Sequence, residues 1–206
     1  MQPGAIADSP ETRGLASFTT DMLMTGTKQL NFQQLHEKIE SIGASLSIGT
    51  GHLATTFFGQ CLREDLETLW SLLVEIVREP AFAEKHFKRV RSQILTSIAI
   101  QNQDSAEMAS QAFNRALYNA HPYAHPSIGY AQTVSALQIS QLETFHATHY
   151  GPSGLVMAVC GGIEPERARE AFANTLGAWQ NQRQAAQGEL PPFTPPQKAI
   201  REHIPL

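Results

Sequence analysis

Between Leu66 and Tyr118 the apolar residues recur at helical intervals with few interruptions, and this run constrains the fold more than any other stretch. Leu66, Leu69, Trp70, Leu73 and Val77 share one face of a helix that must end before Pro80. Phe87, Val90, Ile94 and Ile98 form the inner face of a second, longer helix, and residues 105–118 continue as a third. Lys85, Lys88, Arg89 and Arg91 are expected on the solvated face of the longer helix, a role in docking a partner being the weaker reading.

Before this run the signals differ. Residues 14–24 read as a helix that Gly26 ends. Asn31 is a good N-cap, Gln34 stands at the capping-box position, and Leu30 and Leu35 are placed as a hydrophobic staple. Leu35, Ile39 and Ile42 then share a face until Gly43. Ala44, Leu46 and Ile48 alternate with Ser45, Ser47 and Gly49, and after Gly51-His52 the run from Leu53 to Leu62 completes a predicted hairpin.

After the run, HPYAHPSIGY (121–130) reads as loop, residues 140–149 as a short helix, and Leu155 to Cys160 as an apolar strand closed by Gly161-Gly162. Pro165 suits the first turn of a last helix reaching about Trp179. NQRQAAQGELPPFTPPQ has linker composition, and Arg201 to Leu206 reads as the start of another strand. The expected organisation is one domain over 1–180, then a Pro-rich linker over 181–206 leading toward a second domain. Helices and strands do not alternate regularly and no internal repeat is present. The expected class is therefore α+β, a mostly antiparallel sheet packed against several long helices.

Among the 206 residues, 42% are hydrophobic and 17% charged, ordinary for a soluble globular chain. A net charge of −4 with no Lys/Arg-rich run excludes a nucleic-acid or anionic-lipid surface. No stretch approaches the roughly 20 apolar residues of a membrane span. Cys61 and Cys160 lie in apolar runs and are expected as buried free thiols, with a disulfide left open. The opening MQPGAIADSPETRG carries no signal-peptide pattern and reads like the middle of a loop, as though excised from a longer chain.

The stretch GLASFTTDMLMTGT (14–27) resembles the frame of the inverted-motif zinc metallopeptidases, the family of pitrilysin, insulin-degrading enzyme and the mitochondrial processing peptidase. Members carry H-x-x-E-H here. Gly14, Ala16, Phe18, Met22, Leu23, Gly26 and Thr27 keep the frame, but Ser17 and Asp21 stand at the two histidine positions and Thr20 at the glutamate. The family's third ligand, a glutamate on the long helix, aligns with Ser97, beside Thr96. The resemblance extends over SIGASLSIGTGHLATTFFGQCLREDLETLWSLLVEIVREPAF, the HPYAHPSIGY loop and HYGPSGLVMAVCGGIEPE. It also implies an edge strand before Gly4, which is expected to be cut off or never built in this sequence.

A catalytic zinc needs three protein ligands and an open position for water. Two histidines at i and i+4 share a helix face, and a carboxylate between them activates the water. Serine is a poor ligand, threonine is no general base, and one aspartate makes no site. The resemblance therefore implies a non-catalytic copy with no metal of its own. It would pair, as in a heterodimer, with a zinc-bearing homologous domain or subunit that closes around a peptide substrate. The resemblance makes a bacterial periplasmic or cell-envelope setting plausible. Replacing Asp21 by alanine should then matter little to activity.

Two alternatives remain. One is a structural or interaction scaffold with no peptide role. The other is a metallohydrolase built on His121, His125, His146 and His149, although His121 and His125 flank prolines in a loop. Ser17 with Asp21 lacks a base and a G-x-S-x-G elbow, and the GTG and CGG turns are too short for a phosphate loop.

Overall fold

The protein is described by a computed structural model over residues 4–177, 179–185 and 190–203. In chain order these contain α1 (Leu15–Leu23), α2 (Phe32–Ser41), β1 (Ser45–Thr50), β2 (Thr55–Gln60), α3 (Leu66–Arg78), α4 (Glu84–Gln101), α5 (Ser105–Tyr118), α6 (Ala131–Ala136), α7 (Ile139–His149) and α8 (Pro165–Leu176). The class is α+β, and among the described residues the sheet is one antiparallel hairpin. No helix among the described residues is long and apolar enough to cross a membrane.

Helix α1 is the strut of the core. It packs against α7, β1 and α4, and Phe18, Met22 and Leu23 are wholly buried. The Phe18 ring stacks on Phe87 of α4, centroids 4.9 Å apart and nearly parallel. Val90, Ile94 and Ile98 join the same cluster, as the helical spacing predicts. Fully burying one such side chain is worth about 1.5–3 kcal/mol, so this face fixes where α4 lies.

Capping decides the start of α2. Asn31 accepts from the Gln34 amide at 3.0 Å, and the Gln34 side chain accepts from the Asn31 amide at 3.0 Å, the reciprocal pair expected from the sequence. In the hairpin Leu46 pairs with Gly59 and Ile48 with Phe57, so Leu46, Ile48 and Phe57 turn toward the core. Alpha5 spans residues 105–118 as expected, with Asp104 capping its first turn.

Three expectations need correction, and one helix was not foreseen. Leu155 to Cys160 is irregular, not a strand. Its composition suits a strand, but no described residue forms a ladder with it, and pairing is what stabilises an extended chain. Cys61 and Cys160 are both free, yet Cys61 is half-buried and Cys160 exposed, because the run that would have buried Cys160 is not in a sheet. Arg91 leaves the solvated face. One turn after Phe87, it lays its guanidinium 4.5 Å from that ring's centre and donates to the Leu137 carbonyl. Helix α6 was not foreseen, since AQTVSA has no apolar period; the Thr133 hydroxyl caps its start by accepting from the Tyr130 amide at 3.2 Å.

Residues 179–185, at the start of the linker composition, are docked rather than loose. The Asn181 side chain donates to the carbonyls of Ala147 and Tyr150 at 2.8 and 2.7 Å, and the Ala185 amide donates to Thr148. Of the strand expected at 201–206, residues 201–203 are irregular and the rest lie outside the described residues.

Candidate functional site

Helix α1 is positioned at both ends. Gly14 before it takes φ +96°, and the Asp8 carboxylate accepts from the amides of Gly14 and Ala16 at 2.8 and 2.9 Å. Burial pushes Asp8 up to about 7, while those amides and Arg13 pull the other way. After the helix, Thr27 donates to Glu75 and accepts from the Leu30 amide at 2.9 Å, which ties the closing turn to α3.

The hydroxyl of Thr20 is buried and fully engaged. It donates to the Ala16 carbonyl at 3.0 Å and meets Thr50 and, at 2.9 Å, the Tyr150 hydroxyl. With its one proton committed to Ala16, both lone pairs can accept, from Tyr150 and Thr50. Thr50 and Thr55 stand 3.2 Å apart in the same cluster. These hydroxyls join α1, the hairpin and the residue after α7, with Thr20, Thr55 and Tyr150 buried and Thr50 half-buried. Burial holds Tyr150 above its ordinary range, and the hydrogen bonds to Thr20 and Thr55 work against that rise.

Beside this cluster lies a recess of about 290 Å³, lined among others by Thr20, Asp21, Phe32, His36, Arg89 and Ser97. The structure thus brings Thr20, Asp21 and Ser97 together at one recess. Ser17, one turn before Asp21, is half-buried and does not line it. Asp21 is exposed at the rim, yet the surrounding walls take solvent from its carboxyl and push it up to about 6. Arg89 lies across the Phe32 ring, 4.9 Å from its centre.

A raised carboxylic acid pKa means that the folded state binds the proton more tightly than the unfolded chain. The stabilising contribution is complete below about 3.8 and is lost as pH rises through about 6. Asp21→Asn should therefore raise the melting temperature at pH 7 and leave it nearly unchanged at pH 4. Because Asp21 keeps solvent contact, the gain at pH 7 should be about 1 kcal/mol. Melting curves at both values check this.

These residues do not fit a catalytic zinc. Thr20 has no lone pair to spare, Ser17 and Ser97 offer neutral hydroxyls, and Asp21 is one carboxylate. The histidines are dispersed over separate partners. His121 accepts from the Tyr123 amide, His125 meets the Tyr130 hydroxyl at 2.8 Å, His146 meets the Val77 carbonyl at 2.7 Å, and His149 packs on Phe145. Burial lowers His125, His146 and His149 toward the neutral form. Among the described residues no three His, Cys, Asp or Glu side chains are grouped to hold a metal, so the four-histidine arrangement does not form.

Sequence reasoning missed Tyr150 and Asp8, whose roles depend on contacts across the fold. Arg89 was placed only as a solvated base and Gln93 not at all. Both were within reach, since they precede Ser97 by eight and four residues and so lie on its side of α4.

A family model described as "Insulinase (Peptidase family M16)" matches residues 1–130, and one described as "Peptidase M16 inactive domain" matches residues 136–205. The chain belongs to the M16 peptidase family, as the frame around Ser17 implied. It is similar to an uncharacterized zinc protease of Mycobacterium leprae, 27% identical over 177 residues, covering 84% of this chain and 40% of that one. A probable mitochondrial-processing peptidase subunit beta of Arabidopsis thaliana is 27% identical over 170 residues, covering 82% and 32%. The chain thus spans at most about two fifths of the length of these curated relatives.

Among solved structures, a peptidase M16 inactive domain from Pseudomonas fluorescens superposes with a TM-score of 0.81 at 26% identity, covering 93% of this chain and 46% of that one. The periplasmic protease PqqL from Escherichia coli gives 0.81 at 21%, covering 91% and 22%, and shares the fold.

Proposed function

We propose that this chain acts as the non-catalytic half of an M16 peptidase assembly. It pairs with a homologous zinc-bearing half, shapes the chamber and helps hold peptide while the partner supplies the zinc. Residues 1–180 form that half, and 181–206 lead toward a further domain. The observation that carries the reading is on α1. Its frame is packed into the core, while the hydroxyl at the general-base position is consumed by Ala16, Tyr150 and Thr50. Membership of the M16 family supports the pairing with a second half, while the inactive-domain model matches only residues 136–205, beyond the motif positions. A bacterial periplasmic or cell-envelope setting belongs to the same proposal.

The reading predicts less than about a tenth of an equivalent of zinc by elemental analysis of tag-free protein purified without chelator, and no peptidase activity of the chain alone. Near one equivalent of zinc, or peptide cleavage abolished by chelator, would overturn it.

A further inference from the structure

Two opposite charges line one recess without pairing. The recess of about 290 Å³ beside α1 has Asp21 of α1 and Arg89 of α4 in its walls. Among the described residues the Asp21 carboxylate makes no ion pair. Loss of solvent is the one cause that raises its pKa, so no amide, hydroxyl or cation offsets that loss. Arg89 makes no ion pair either. Its guanidinium lies over the Phe32 ring, 4.9 Å from the centre, and its hydrogen bond to His86 Nδ1 is long at 3.4 Å. The remaining N–H groups of that fork are open to a ligand. His36, the other ionisable side chain in the lining, is tied to the Met24 carbonyl at 3.2 Å. Ile48, Ile94 and Ile128 supply apolar wall between the two charges.

We propose that this recess binds a small amino-acid zwitterion, a free amino acid or dipeptide, whose ammonium meets Asp21, whose carboxylate meets the Arg89 fork and whose apolar side chain packs on the isoleucines. A planar guanidinium suits the carboxylate end, because it donates two parallel hydrogen bonds to one carboxylate. A simple anion would face Asp21, and a simple cation would face Arg89. A neutral apolar molecule would strip water from both charges and replace it for neither. A metal ion would find one carboxylate and no group of three ligands among the described residues. The volume lies at the lower end of small-molecule sites, which leaves no room for a folded partner. Peptide-bond hydrolysis is the class of reaction that supplies such a ligand. Water cleaves the C–N bond, and the fragments carry a new carboxylate and a new ammonium. This inference goes beyond the proposed function and does not rest on it. Asp21 binds here without catalysing anything, and the recess belongs to this chain alone.

The test titrates alanyl-leucine, and L-leucine beside it, into the full chain without any zinc-bearing half. Isothermal titration calorimetry is run above the Asp21 value of about 6, so that the carboxylate is charged. Saturable binding of at least one of the two is expected. Acetylating the ligand's amine or amidating its carboxylate should each weaken binding at least about tenfold. Asp21→Asn should remove the difference between acetylated and free ligand, and Arg89→Gln the difference between amidated and free ligand. A merely structural role for either residue would not produce that pairing. Both side chains are exposed, so the variants should fold, and circular dichroism checks that they do. Absence of both saturable heat and a rise in melting temperature with either ligand would overturn the proposal. So would an equal loss on acetylation in the wild type and in Asp21→Asn. Tighter binding of a blocked acetyl-Lys-Ala-Glu amide would overturn it too, by assigning the two charges to side chains of an intact polypeptide.

Discussion

Gly129→Ala should destabilise the chain by about 2–5 kcal/mol, the sum of roughly 1–2 for a left-handed non-glycine residue and roughly 1–3 for overpacking. Gly129 takes φ +81°, and a Cβ there would lie 2.3 Å from the Arg13 carbonyl oxygen, where backbone meets backbone and no side chain can yield. The position is where the loop after α5 crosses the N-terminus of α1. Gly14 faces it, φ +96°, with its own hypothetical Cβ 2.6 Å from the Ile128 carbonyl. The two glycines let two segments touch that are far apart in sequence, and that contact seats α1. Urea denaturation measures the loss. A cost below about 1 kcal/mol would mean that the crossing relaxes and does not position the helix.

Phe18→Ala should cost a comparable amount, about 3–5 kcal/mol, and Phe18→Leu appreciably less. Phe18 is wholly buried and stacked on Phe87, and α4 has no other Phe, Tyr or Trp with which to fill the void. The result distinguishes a helix kept as the core's strut from one that merely survives. If alanine at 18 cost less than about 1 kcal/mol, the packing described for α1 would not be what holds the domain together.

Local signals carried much of this fold. The helices at 66–78, 84–101 and 105–118 were legible because their apolar faces repeat over several turns, and α2 because Asn31 and Gln34 satisfy the first amides from their own side chains. Leu155 to Cys160 was illegible for the opposite reason. A strand depends on its neighbour, and composition does not say whether a neighbour is there. At the candidate site, the resemblance implied that the residue types at 17, 20, 21 and 97 supply no catalytic zinc set. They could not tell that Thr20 would find Tyr150, 130 residues away, or that Ser17 would sit apart from the recess shared by Asp21 and Ser97. The histidine pairs, kept only as an alternative in the sequence because His121 and His125 flank prolines in a loop, are engaged by separate partners. His121 and His125 lie on a turn, and His146 is held by Val77.

The central claim is that this chain serves a zinc-bearing homologue. The most direct measurement is cleavage of a labelled unfolded peptide by a zinc-bearing M16 half from the same organism, assayed alone, with this chain, and after co-expression with it. The account predicts a stable complex and cleavage at least about tenfold faster with this chain present, with this chain inactive by itself. No complex and an unchanged cleavage rate would contradict it. A stable complex with cleavage unaltered would also contradict it, and would leave a scaffold that binds its partner without handling peptide.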